Sequence, residues 1–187
     1  MNEQEWFASW FDSPYYPILY QHRDYSEAEV FIEALLDHLK PNPEAHFLDL
    51  ACGRGRHSLF IHKHGYKVTG LDLSPDSIAD AAKNTSQGLE FRVHDMREPI
   101  PGQYDYVLNM FTSFGYFADQ SENLKVLNNV RSALKPGGTF VIDFMNVETV
   151  IPRLVAKEKK SLDGIQFVLS RSVQDGFIVK DIFVHDG

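Results

Sequence analysis

Short apolar runs alternate with amphipathic stretches through the middle of the chain. Each of five runs predicts a strand: HFLDLA (46–51), KVTGLDL (67–73), LEFRVH (89–94), YDYVLNMF (104–111) and TFVIDF (139–144). The intervening segments predict helices over Arg56–His64, from Ser74 to about Thr85, and over residues 120–135. This alternation predicts an α/β fold with a doubly wound, mostly parallel sheet and helices on both faces. Ligands of such sheets bind beyond the carboxyl ends of the strands, where the strand order reverses.

The two ends of the chain have different patterns. Residues 1–25 are rich in aromatic side chains, and SEAEVFIEALLDHLKP predicts an amphipathic helix that starts at a capping box of Ser26 and Glu29. The apolar stripe of this helix is predicted to comprise Val30, Phe31, Ala34, Leu35 and Leu39. At the other end, IQFVLSRSV and FIVKDIFVH flank Asp175-Gly176, which predicts a C-terminal antiparallel hairpin. We therefore divide the chain into an aromatic helical lid (1–40), a cofactor-binding core (41–146) and a linker with the hairpin (147–187).

Composition narrows the class of protein. The 187 residues suit one domain, and the net charge of −8 argues against nucleic acid as a partner. We find neither a signal peptide nor an apolar span that predicts a membrane segment. The single cysteine, Cys52, forms no intrachain disulfide, which fits a cytoplasmic protein. The eight histidines have no metal-ligand spacing, so we predict no metal site.

The turn after the first strand carries the strongest chemical signal. Gly53 and Gly55 lie between a strand and a helix, where glycine lets the backbone approach a ligand closely. A dinucleotide fingerprint needs a third small residue, glycine or alanine, where this chain has Ser58. Asp49 would repel a pyrophosphate but would attract a ligand with a positive charge. Asp72, at the end of the second strand, is placed to accept hydrogen bonds from ribose hydroxyls. The pattern therefore favours a cationic nucleoside ligand.

Four segments resemble the class I S-adenosylmethionine-dependent methyltransferases, which have a Rossmann-like fold. They are LDLACGRGRHSLF, which resembles the family's glycine motif, GLDLS, VHDMRE and LKPGGTFVID. The resemblance covers roughly residues 25–146. A narrower resemblance, to small-molecule N-methyltransferases of the aminosugar and glycine type, is carried by HRDYSEAE, ACGRGRH, HDMRE and MFTSFGYF. It implies S-adenosylmethionine as cofactor.

The resemblance implies a role for each candidate site residue. Gly53 and Gly55 would cradle the methionine part of the cofactor, Asp49 would bind its ammonium group and Asp72 its ribose. Asp95 and Met96 would form the adenine site, and the backbone of Met110 would contact the cofactor. Further cofactor contacts are expected from Ala51, Leu73 and, among the N-terminal tyrosines, Tyr20.

The expected activity is in-line methyl transfer to a small-molecule acceptor, more readily at nitrogen than at oxygen. Such a transfer depends mainly on alignment, so no catalytic base is assigned. His22 and His94 are interpreted as structural. Two alternatives remain: a nicotinamide-dependent oxidoreductase and a non-catalytic S-adenosylmethionine-binding module.

The C-terminal hairpin has two interpretations, because the family's sheet usually has seven strands. The hairpin either supplies the last two strands or belongs to an antiparallel cap in a chain that ends before them, and we favour the cap. In that case the fifth strand would be an open edge, and a homodimer formed by edge pairing is expected.

Overall fold

The structure, a computed structural model, describes residues 6–21 and 25–187, which form two compact units. The first unit contains helix α1 and everything from helix α3 to Phe144. Its helices are α1 (Trp6–Phe11), α3 (Tyr25–Leu39), α4 (Arg56–Lys63), α5 (Pro75–Ala81, followed by a 3-10 turn at Ala82–Asn84) and α6 (Gln120–Ala133). Its strands are β1 (His46–Leu50), β2 (Lys67–Asp72), β3 (Leu89–Val93), β4 (Tyr104–Asn109) and β5 (Leu134–Ile142).

The five strands of the first unit form one parallel sheet in the order β3-β2-β1-β4-β5. The order reverses between β1 and β4. Alternate residues of β1 enter different cores because successive strand side chains point to opposite faces. Phe47 packs with residues of α3 and α4 on one face, whereas Leu48 packs with residues of α6 on the other. The predicted doubly wound fold is confirmed.

The second unit contains residues 13–21 and the chain from Met145 onward. Its elements are α2 (Tyr15–Leu19), α7 (Val147–Val150, followed by a 3-10 turn at Ile151–Arg153), β6 (Lys157–Leu162), β7 (Ile165–Gln174) and β8 (Phe177–His185). The three strands form a separate antiparallel sheet in the order β6-β7-β8. The predicted hairpin is therefore confirmed as β7 and β8, in a sheet distinct from the parallel one.

Three local predictions differ from the structure. In α3 the buried face is formed by Ala28, Ile32 and Leu36, whereas Val30 and Phe31 of the predicted stripe are exposed. Helix α3 carries apolar residues on two faces. The face that packs against the sheet is that of Ala28, Ile32 and Leu36, and the predicted face with Val30 and Phe31 is exposed. Ser26 lies inside α3, so it does not cap the helix. The fifth strand was predicted to begin at Thr139, whereas β5 begins at Leu134. A register shift between Tyr104 and Tyr106 of the neighbouring strand accommodates the KPGG segment within β5.

Candidate functional site

The turn after β1 is held in a left-handed conformation. Ala51, Gly53 and Gly55 have φ angles of 63°, 55° and 76°. The Cys52 backbone N–H donates a hydrogen bond to the Leu71 carbonyl at 3.0 Å, which ties the turn to β2. A Cβ atom added at Gly53 would have no heavy atom of the described residues within 4 Å, so this side of the turn is open among them. The predicted glycine cradle thus has room for a ligand.

Asp72 joins the glycine turn to the loop after β2. Its carboxylate accepts hydrogen bonds from the Gly53 N–H at 2.7 Å and from the Ser74 N–H at 2.9 Å. Burial raises the pKa of Asp72, and the nearby charge of Asp12 adds to this, while the two backbone hydrogen bonds act in the opposite direction. Asp12 also accepts a hydrogen bond from the Ser74 hydroxyl at 2.5 Å. Asp72 therefore has a structural role in addition to its predicted role as a ribose ligand.

Asp49 is a buried acid on the opposite side of the same turn. Its side chain is 1% exposed, and its Oδ2 accepts a hydrogen bond from the Ser58 hydroxyl at 2.6 Å. Its Oδ1 is buried and has no hydrogen-bond partner among the residues that the structure describes. Burial raises the pKa of Asp49 to about 6. Asp49 and Asp72 thus provide two acids around one glycine turn.

The loop after β3 holds the predicted adenine residues. The Asp95 carboxylate forms hydrogen bonds with Arg97 Nε at 3.0 Å and with Nη2 at 2.6 Å. Burial acts to raise the pKa of Asp95, but the hydrogen bonds and charge of Arg97 outweigh it, so the pKa is lowered. Met96 is half-buried against the core cluster that contains Leu48 and Val126, and Leu73 is partly exposed after Asp72. Because the Asp95 carboxylate already accepts hydrogen bonds from Arg97, an adenine amino group would have to share this carboxylate as its acceptor.

The loop after β4 is the most strained segment near these strand ends. Phe111 and Thr112 have φ angles of 60° and 56°, a region that favours glycine. Asp143 stabilises this loop, because its Oδ2 accepts from the Phe111 N–H at 2.9 Å and its carbonyl accepts from the Thr112 N–H at 3.0 Å. Met110, just before the strained pair, is buried, and its carbonyl accepts a hydrogen bond from the Ser113 hydroxyl at 2.7 Å.

We expect Asp143→Ala to lower the free energy of unfolding by about 2 kcal/mol, because the Phe111 N–H would lose an ionised acceptor while the strain remained. For a chain of this size the midpoint of thermal unfolding should fall by roughly 4–8 °C. Asp143→Asn keeps an oxygen acceptor and should lose less than half as much. Equal losses in the two variants would contradict the assigned hydrogen bond.

The N-terminal aromatic residues divide between the two units. In the first unit, Trp6 and Phe11 make edge contacts with Tyr116 at ring-centroid distances of 5.5 Å and 5.4 Å, and Phe7 contacts Phe117 at 5.4 Å. Tyr20 belongs to the second unit, where its hydroxyl accepts a hydrogen bond from Lys180 Nζ at 2.7 Å. Its predicted cofactor contact stays a prediction. His22 lies outside the described residues.

Sequence reasoning missed the roles of Ser58 and Asp143. Ser58 entered only as the residue in place of a third glycine, although a serine on the buried side of a helix next to an acid indicates a polar contact. Asp143 directly follows β5 and carries the signal that identified Asp72, an acid at a strand end.

Sequence reasoning also did not consider His57. Burial, reinforced by the charge of Arg56, lowers the pKa of His57 to about 4, so its imidazole is neutral at pH 7. His94 keeps a buried Nε2 that has no partner among the described residues.

Within residues 6–21 and 25–187, no three side chains of His, Cys, Asp or Glu gather as a metal-binding group. In the same ranges no helix combines the length and apolar character needed to span a bilayer.

The sheet order and the acid-flanked glycine turn at its switch point define a class of α/β enzymes that bind nucleoside cofactors. Residues 41–185 match the family described as methyltransferase domain. The chain therefore belongs to the S-adenosylmethionine-dependent methyltransferases. This confirms the predicted enzyme class and its cofactor, while the roles of the individual site residues stay predictions.

Known relatives and structures agree with this assignment. The chain is 34% identical over 142 residues to YqeM of Bacillus subtilis (strain 168), which has been assigned as a methyltransferase; the match covers 73% of this chain and 53% of that protein. It is 29% identical over 132 residues to glycine/sarcosine N-methyltransferase of Parasynechococcus marenigrum (strain WH8102), covering 67% and 45%. An S-adenosylmethionine-dependent methyltransferase from Clostridium acetobutylicum ATCC 824 has the same fold, with a TM-score of 0.71, 24% identity and coverage of 92% and 73%. The chain spans about half the length of the curated relatives it matches.

Proposed function

We propose that this protein transfers a methyl group from S-adenosylmethionine to an amine nitrogen of a small molecule. The observation that carries the proposal is the buried Asp49, whose Oδ1 has no hydrogen-bond donor within residues 6–21 and 25–187 and which precedes the open glycine turn in the chain. A carboxylate oxygen in that position favours a ligand with a positively charged amino group. A pyrophosphate would instead be repelled, which counts against the nicotinamide alternative.

The residues at the strand ends fit the parts of this cofactor. Gly53 and Gly55 would hold its amino-acid part, with Ala51 and Leu73 adjoining, and Asp49 would bind its ammonium group. Asp72 would accept from the ribose, since each carboxylate oxygen has a second lone pair beyond its present backbone hydrogen bond.

The adenine would lie near Asp95 and Met96, and the backbone of Met110 would contact the cofactor. When bound, the cofactor supplies a methyl group activated by a sulfonium charge. The part played by the chain is then to bind and align the two reactants, which can contribute roughly 7–11 kcal/mol.

The choice of an amine acceptor draws on similarity to glycine/sarcosine N-methyltransferase. Because that relative is matched over less than half its length, the acceptor is proposed at the level of chemical class. The cytoplasmic location, the absence of a nucleic-acid partner and the homodimer likewise stay predictions.

We expect methyl transfer from labelled S-adenosylmethionine to a member of an amine panel that contains glycine, sarcosine and an aminodeoxyhexose. The matched controls replace each amine by a hydroxyl group, as in glycolate and the parent hexose. The rate should rise with pH as the amine loses its proton, because only the neutral amine has a lone pair to attack.

Transfer only to the hydroxyl controls would redirect the proposal to oxygen. Tight cofactor binding without transfer to any acceptor would favour the non-catalytic module. Binding of NADH in place of S-adenosylmethionine would overturn the proposal altogether.

A further inference from the structure

Ser58 and Asp49 form an incomplete buried polar pair. Both side chains are buried, and the Ser58 hydroxyl donates to Asp49 Oδ2 at 2.6 Å, the length of a charge-assisted hydrogen bond. The other oxygen, Oδ1, has no donor among the described residues. Most buried polar atoms have a hydrogen-bond partner, so Oδ1 is available to accept a hydrogen bond from a group that enters the site.

The charges around Asp49 come from several elements. Burial is the largest influence and raises its pKa to about 6, while hydrogen bonds from the hydroxyl and backbone of Ser58 act to lower it. The negative charge of Asp72 on β2 raises the pKa, and the positive charge of Arg56 on α4 lowers it. The nearby Cys52 thiol stays neutral, because burial raises its pKa well above the ordinary value. Ser58 is therefore the main group that favours the ionised carboxylate.

We infer that Ser58 is a positioning residue that occupies Oδ2 and thereby leaves Oδ1 of Asp49 as the acceptor for the cationic amino group of the cofactor. The inference rests on the proposed function. It assigns a role to a residue of α4 outside the glycine turn, and this role acts through Asp49 without contact to the cofactor.

The test compares two ligands that differ in the group that Asp49 would bind. S-Adenosylhomocysteine carries the amino group, whereas 5′-methylthioadenosine keeps the nucleoside and the thioether sulfur but lacks the whole amino-acid part, with its amino group and its carboxylate. For Ser58→Ala, calorimetry should show about tenfold weaker binding of S-adenosylhomocysteine at pH 5, below the pKa of Asp49 in both proteins, and about twofold weaker binding at pH 7. Binding of 5′-methylthioadenosine should stay within about twofold of the wild type. Thr69→Val serves as the control, because it removes another buried hydroxyl that donates to a carboxylate, here Glu90.

The pH dependence of the affinity for S-adenosylhomocysteine distinguishes this role from packing, because a loss of packing alone would not shift the midpoint of the profile. Ionised Asp49 attracts the ligand, so wild-type affinity should rise as the pH increases through the pKa of this group. Without the Ser58 hydroxyl that pKa rises, and the midpoint of the affinity profile should move up by about one pH unit. Carboxyl NMR of the ligand-free protein should show the same upward shift for Asp49, independently of any ligand.

If Ser58→Ala weakened the binding of both ligands equally, Ser58 would only support packing, and this result would overturn the inference. Unchanged affinity for S-adenosylhomocysteine would overturn it as well. If the wild type failed to bind S-adenosylhomocysteine, the proposed function itself would fail, which is a separate result. Ser58→Cys keeps the size of the side chain with a weaker donor, so its affinity should lie between the wild type and Ser58→Ala.

Discussion

Replacing Asp72 with alanine is expected to weaken the binding of S-adenosylhomocysteine by about 100-fold. Hydrogen bonds to a charged group contribute roughly 1.5–3 kcal/mol each, and the variant would lose those to the ribose. It would also release the Gly53 and Ser74 N–H groups, which Asp72 holds at 2.7 Å and 2.9 Å, so the glycine turn would keep only the backbone hydrogen bond of Cys52 to Leu71 as an attachment to β2. Isothermal titration calorimetry at a temperature where both proteins are folded measures the effect.

A second ligand separates these two contributions. Adenosine has both ribose hydroxyls, whereas 2′,3′-dideoxyadenosine has neither. The wild type should prefer adenosine by at least tenfold, and Asp72→Ala should lose that preference, because the acceptor of the hydroxyls is gone. Asp76→Ala, which removes an exposed acid in the first turn of α5, should leave both affinities unchanged. If Asp72→Ala kept the preference for adenosine, the only role of Asp72 would be to stabilise the glycine turn.

The sequence predicted the parts of the fold that depend on local pattern. Five apolar runs with glycine or proline between them became β1 to β5, and Asp175-Gly176 became the turn between β7 and β8. The pattern failed for β6, because its lysine-rich sequence KEKKSL, at the edge of a sheet, resembles an exposed loop in composition. It also failed for the buried face of α3, since only tertiary packing distinguishes Ile32 from Val30.

Positions at strand ends could be predicted for the candidate site residues, whose roles toward the cofactor stay predictions. Asp49 and Asp72 lie at the carboxyl ends of neighbouring strands, and the structure brings both to the glycine turn. Contacts that depend on how a helix packs could not be predicted in this way. The hydrogen bond of Ser58 to Asp49 arises because α4 lies over β1, and nothing in the local pattern fixes that distance.

The two glycines of the turn differ in the space around them. A Cβ atom at Gly55 would lie 2.6 Å and 2.7 Å from two ring carbons of Phe91 and 3.2 Å from the Cβ of Ala81. At Gly53 the same atom would meet no heavy atom within 4 Å. Both residues have positive φ angles, so alanine at either position carries backbone strain of about 1–2 kcal/mol.

Gly55→Ala should therefore mainly lower the stability of the protein, whereas Gly53→Ala should mainly weaken the binding of the cofactor. Gly55→Ala adds the clash with Phe91 to the strain, so it should lower the free energy of unfolding by about 3 kcal/mol and the thermal midpoint by roughly 6–12 °C. Gly53→Ala should lose only about 1–2 kcal/mol, but its Cβ would enter the space where the backbone approaches the cofactor, so S-adenosylhomocysteine should bind at least tenfold more weakly. Thermal unfolding without ligand and calorimetry with it separate the two effects. If Gly53→Ala lost stability but bound the ligand normally, the open side of the turn would not be the cofactor cradle, because the added methyl group would then occupy empty solvent.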